Sequence, residues 1–216
     1  MKLYHGLLQL LFPAKCILCG NLLNKEEQVL CRSCRGSVPE YPEPKEKLLF
    51  LDSFTAVWYY EDNVRRSLLR YKFYNARSFA CGYGKLLAEK VRRENPNGFD
   101  CITWVPVSPR RKRERGYDQV ELLAKAVCEE LAMEPVPLLK KVHHNRPQSG
   151  ISGLEERRAN VLGAYRAISP EAIAGKRILL LDDILTTGAT AGECARVLRT
   201  HGAKEVHCAA VAAARK

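Results

Sequence analysis

The chain has 216 residues, 46% of them hydrophobic and 27% charged, a globular composition that excludes disordered, collagenous and fibrous classes. The length suits one ordinary domain with a small attachment, and the longest apolar runs fall far short of the ~20 residues that span a bilayer. A formal net charge of +11 points to a polyanionic partner without naming one.

Lys2 and the apolar stretch Leu7–Phe12 have the outline of a signal peptide. His5 and Gln9 interrupt it, however, and no small-residue cleavage site precedes Cys16, so a short amphipathic opening to a cytoplasmic protein is expected. Next come Cys16, Cys19, Cys31 and Cys34 as C-x2-C-x11-C-x2-C. Each C-x-x-C pair can bend into a knuckle, and four thiolates suit one tetrahedral structural zinc with no open position. Gly20 and Gly36, just after the pairs, are expected to supply positive φ. A redox C-x-x-C is the alternative, but its βαβ context is missing. The other five cysteines, Cys81, Cys101, Cys128, Cys194 and Cys208, are expected to be small buried hydrophobes. Pro39, Pro42 and Pro44 read as a linker, dividing the chain into a metal-stapled module over 1–44 and an α/β domain over 45–216.

If Asn63–Arg77 is helical, Val64, Leu68 and Tyr71 share its core stripe. Arg66, Arg70, Phe73, Tyr74 and Arg77 then share another face. Cations beside aromatic platforms suit single-stranded nucleic acid, although an ordinary amphipathic surface helix has the same pattern. A strand over Cys101–Val105 leads into the basic stretch Arg110–Arg115, which holds five basic residues against Glu114. A loop is expected there, and a helix begins near Val120. Asn145–Tyr165 is long and poor in apolar residues, and Gly150 and Gly153 would ease its movement as the lid that the resemblance given below implies. A helix over Leu154–Val161 is compatible with that reading.

Most informative is Ile178–Thr190. Ile178, Leu179, Leu180 and Leu181 predict a strand buried on both faces, with Asp182 and Asp183 at its carboxyl end, where open α/β sheets place ligands. Thr186, Thr187, Gly188, Ala189 and Thr190 then form a turn at the N-terminus of a helix over Ala191–His201, a ready phosphate cradle. Gly202 is a plausible C′ residue, and a strand over Val206–Ala212 follows. Acceptor-only carboxylates beside such a cradle suit ribose hydroxyls, so the combination asks for a ribose 5-phosphate. A Walker B strand is excluded because no G-x-x-x-x-G-K-[ST] occurs. A receiver-type pocket would place its acids early in the chain.

This segment resembles the PRPP-binding motif of type I phosphoribosyltransferases. The resemblance implies ribose contacts from Asp182 and Asp183, 5′-phosphate contacts from residues 186–190, and magnesium held with PRPP. It also implies pyrophosphate or flexible-loop roles for Ser108, Arg110, Arg111, Arg113, Arg115, Arg146, Arg157 and Arg158. With the four cysteines, Pro106–Gln119, and Arg146 to Tyr165, the ordered set resembles the ComF family of competence-associated, amidophosphoribosyltransferase-like proteins; Tyr117-Asp118 stands where many members have Phe-Asn. The implied fold is a type I phosphoribosyltransferase-like parallel sheet flanked by helices, preceded by a small zinc ribbon. The implied role is handling of incoming single-stranded DNA in natural transformation, beside a helicase-like competence ATPase. An active phosphoribosyltransferase with an unidentified nucleophile and a PRPP-sensing regulatory module remain the alternatives.

Overall fold

A computed structural model describes residues 13–42, 48–142 and 159–215. In chain order the elements are α1 (Arg32–Ser37), β1 (Ser53–Tyr59), α2 (Asp62–Phe73), α3 (Phe79–Glu94), β2 (Cys101–Trp104), α4 (Pro109–Arg115) and α5 (Gln119–Leu131). They continue with β3 (Leu139–Lys141), β4 (Tyr165–Ala167), β5 (Arg177–Leu185), α6 (Ala189–Thr200) and β6 (Glu205–Ala213). Strands β1, β6, β5 and β2 form, in that order, one sheet whose neighbours all run parallel. An antiparallel β3–β4 ribbon stands apart from it.

The strand expected around Ile178 is β5. Pairing on both sides covers its edges, and Ile178 through Asp183 are buried, which explains the unbroken apolar run. The two sheet faces carry separate cores. On one, Ile102, Leu179 and Leu181 pack with Leu87, Leu123 and Val127 of α3 and α5. On the other, Ile178, Leu180 and Val206 pack with Cys194 and Leu198 of α6. Burying one such aliphatic side chain contributes about 1.5–3 kcal/mol. The α3–α5 contact is close: a Cβ on Gly84 would lie 2.5 Å from the Cβ of Ala126.

The four-cysteine module is continuous with the first core, which includes Cys16, Ile17 and Leu18 alongside Leu68, Tyr71 and Tyr83. The stripe expected on the first long helix is observed in α2, where Val64, Leu68 and Tyr71 are buried. Other expectations are corrected. The basic stretch is the helix α4, not a loop, because Ser108 caps it by accepting from Arg111 N at 3.3 Å, Pro109 opens it and Gly116 closes it at φ +76°. Gly20 does adopt φ +83°, but Gly36 lies within α1. Of the five scattered cysteines, Cys81 is exposed and the other four are buried. The segment after Pro39 is not a free linker, since Glu40 bridges to Trp58 and Tyr41 N donates to Val57 O at 2.8 Å. The opening segment to Phe12, Pro44, Arg146, Gly150, Gly153, Arg157, Arg158 and most of the expected lid lie outside the described residues.

Candidate functional site

At the carboxyl end of the sheet, a cavity of about 340 Å³ opens between β5, α2, α4 and β3. Asp182 and Asp183 stand in its wall, 8% and 4% exposed. Successive strand residues point to opposite faces, so the pair meets different neighbours. Asp182 Oδ1 accepts from Asp183 N at 2.8 Å. Asp183 accepts from Lys72 Nζ at 2.8 Å and from Gln119 Nε2 at 2.9 Å. Burial first, and then the adjoining Asp183 carboxylate, push the Asp182 carboxyl up to about 8, against the pull of Lys72.

Thr186 and Thr190 line the same cavity. Beneath them a small cup of about 30 Å³ is bounded by Thr186, Gly188, Ala189 and Thr190. Gly188 starts α6 in the left-handed region at φ +74° without any side-chain cap. A Cβ there would come within 2.7 Å of the Leu48 side chain. The helix N-terminus therefore faces the cup with its positive dipole end.

Cations ring the two acids. Arg111 and Arg115 reach the cavity from α4, Lys141 from β3 and Lys72 from α2. Burial and the nearby Arg111 lower the pKa of Lys141, which lies 5.1 Å from the centre of the Tyr165 ring. Four cations around two carboxylates leave a site suited to a polyanion.

The sequence-derived candidates separate here. Asp182, Asp183, Thr186, Thr190, Arg111 and Arg115 converge on one cavity, and Gly188 and Ala189 join them at the cup, while Thr187 Oγ1 accepts from Ala189 N at 3.3 Å. Arg110 instead pairs with Glu114 at 2.7 Å on the exposed face of α4, Arg113 is exposed, and Ser108 is occupied as the α4 cap. Phe73 and Arg77 line a neighbouring cavity of about 690 Å³ that shares Tyr60, Lys72, Arg111 and Arg115 with the first. Arg115 lies over the Phe73 ring at 4.8 Å and Arg77 over Tyr117 at 4.6 Å. Tyr74 is 76% exposed. Arg66 bonds to Asn63. Arg70 points the other way, donating to Leu18 O at 2.5 Å and Ile17 O at 3.2 Å of the cysteine module. Sequence reasoning missed Lys72, Lys141 and the pairing of Gln119 with Asp183; a lone lysine has no local signature, since only the fold brings α2 to β5.

The four cysteine sulfurs lie within 4.8 Å of one another, and those of Cys19 and Cys31 are 3.7 Å apart. Zn–S bonds of about 2.3 Å in a tetrahedron place sulfurs about 3.8 Å apart, so the set fits one structural zinc. Its four thiolates would fill the coordination sphere. No described helix is long and apolar enough to cross a membrane.

Two family models match separate parts of the chain. A family model described as a phosphoribosyl transferase domain matches residues 121–216, and one described as a double zinc ribbon domain matches residues 7–45; the latter segment holds four cysteines, enough for one tetrahedral site. Fold and site thus define a phosphoribosyltransferase-type α/β domain carrying an N-terminal zinc-ribbon module. Competence protein F of Haemophilus influenzae is 26% identical over 218 residues, covering 90% of this chain and 95% of that protein. Competence protein ComFC of Streptococcus pneumoniae is 28% identical over 188 residues, covering 87% and 77%. Over nearly nine tenths of its length the chain is thus similar to proteins named as competence proteins, and it carries matches to both domain models. A solved glutamine PRPP amidotransferase from B. subtilis is 21% identical, with a TM-score of 0.44, over 65% of this chain and 30% of that one.

Proposed function

We propose that the cavity binds PRPP and that the protein is a cytoplasmic, competence-related handler of single-stranded DNA in natural transformation. One observation carries the PRPP reading: two buried carboxylates and four cations share a single cavity, with the N-terminus of α6 at the cup beneath it. Asp182 and Asp183 accept hydrogen bonds from the ribose 2′ and 3′ hydroxyls. The 5′-phosphate sits in the cup of residues 186–190, at the positive end of α6. Arg111 and Arg115 receive the pyrophosphate, and with Lys72 and Lys141 they offset its charge. The hard carboxylate oxygens of Asp182 and Asp183 would suit magnesium bound together with PRPP, which would supply further positive charge to offset the pyrophosphate.

The DNA part rests on the exposed aromatic and basic end of α2, where Phe73, Tyr74 and Arg77 stand beside this cavity, and on the names of the competence relatives. A helicase-like ATPase of the same machinery is the expected partner. The shared wall of the two cavities also favours a second reading, transfer of the phosphoribosyl group with loss of pyrophosphate, because an acceptor in the outer cavity borders the PRPP site.

Incubation with PRPP and magnesium, with and without a single-stranded oligonucleotide, separates these readings when bound PRPP and free pyrophosphate are both measured. PRPP retained without release identifies a binding module. Release confined to samples holding the oligonucleotide identifies a transferase. PRPP retained in neither sample overturns the proposal.

A further inference from the structure

The acidic pair and the loop that follows it lie within the segment matched as a phosphoribosyl transferase domain. Lys72 stands outside that segment. It projects from the last turn of α2 into the cavity, its side chain 17% exposed, and its Nζ lies 2.8 Å from Asp183 Oδ1. One of the two carboxylates that would receive the ribose is therefore engaged by a cation. Lys72 also borders the outer cavity together with Arg111 and Arg115.

The surroundings fix the backbone of Lys72 and leave its ammonium free to relocate. Tyr71, the preceding residue, donates from its hydroxyl to Gln119 O at 2.6 Å, and Tyr117 Oη donates back to Tyr71 O. Arg70 anchors the same turn to the cysteine module. Asp183 keeps a second donor in Gln119 Nε2, so its carboxylate stays oriented when Lys72 departs. Gln119 Oε1 is buried with no hydrogen-bond partner among the described residues, an acceptor open to a donor entering the cavity. A lysine suits such a transfer, being a compact charge on a flexible stem with three rotatable donors.

We propose that Lys72 is a substrate-exchange residue: it holds Asp183 in the empty site and moves to the pyrophosphate oxygens when PRPP enters, releasing Asp183 to the ribose diol. The inference rests on the PRPP reading and adds a residue and a selectivity to it. Ribose 5-phosphate alone must break the Lys72–Asp183 pair and gives the ammonium no pyrophosphate in return. PRPP compensates for the break, so the exchange favours the pyrophosphorylated sugar over its hydrolysed form.

Calorimetric titration of the full chain with Mg-PRPP, magnesium pyrophosphate and ribose 5-phosphate tests this, using Lys72→Met and Lys72→Arg, with thermal melts to verify folding. Loss of a charge-assisted contact predicts about 10- to 100-fold weaker binding of PRPP and pyrophosphate to Lys72→Met. Ribose 5-phosphate should bind that variant as well as, or more tightly than, the wild type. Lys72→Arg should recover most of the PRPP affinity. Equal loss for all three ligands would mean a merely structural lysine and overturn the proposal, as would no loss for any. Wild-type protein that binds none of the three would instead refute the underlying PRPP reading.

Discussion

Asp182 shows how a residue proposed to bind a ligand can oppose folding. Its carboxyl titrates near 3.8 when unperturbed and is pushed up to about 8 in the folded chain, chiefly by burial. Between those values the folded state holds more protons than the unfolded one, so this group makes stability fall as pH rises from about 4 to 8, then level off. Asparagine mimics the neutral carboxyl and can still accept from Asp183 N. Asp182→Asn should therefore raise the melting temperature of the ligand-free protein at pH 8–9, by roughly 2–4 °C for each kcal/mol relieved, and flatten its pH dependence. Parallel melting curves for variant and wild type across pH 5–9 would contradict this. The acidic pair and the loop of residues 186–190 could be read locally because they are contiguous and follow an unbroken apolar strand. Lys72 and Lys141 could not, since each is one basic residue on its own element and acquires meaning only where the sheet brings α2 and β3 to β5.

Elements explain why the basic stretches had to be divided. Ser108, Pro109 and Gly116 turn Arg110–Arg115 into a helix, and helical spacing sends Arg111 and Arg115 to one side and Arg110 and Arg113 to the other. A loop would leave all of them free to face one site. The same holds for α2, where Arg70 is spent on carbonyls of the cysteine module and only the C-terminal end remains beside the outer cavity. The proposed nucleic-acid contact thus falls to Phe73, Tyr74 and Arg77. Single-strand affinity measured against salt should separate their parts. Arg77→Ala should lower the slope of log K against log salt by about 0.7 if one phosphate contact is lost. Phe73→Ala should weaken binding by about 1–3 kcal/mol through lost stacking with little change of slope. Unchanged affinity in both variants would remove this end of α2 from the account.

At the scale of the whole molecule, the α/β sheet, the two-sided core and the four-cysteine module were all readable from periodicity and spacing. Their junction was not. Ile17 and Leu18, between the first two cysteines, are buried in the core shared with α2 and α3, and the carbonyls of both accept from Arg70. The module therefore braces the helix that carries Lys72, so metal site and cavity are mechanically joined. The net charge of +11 also divides by place, part of it ringing the two buried acids and part standing at the end of α2. The central claim is that those acids and that ring make a PRPP site. It is tested most directly by calorimetric titration of Mg-PRPP into the wild type and an Asp182→Asn, Asp183→Asn variant, with single-strand binding as the control for folding. The account predicts saturable binding of one PRPP per chain that the double substitution abolishes while DNA affinity persists. Undiminished PRPP affinity in the variant would contradict it.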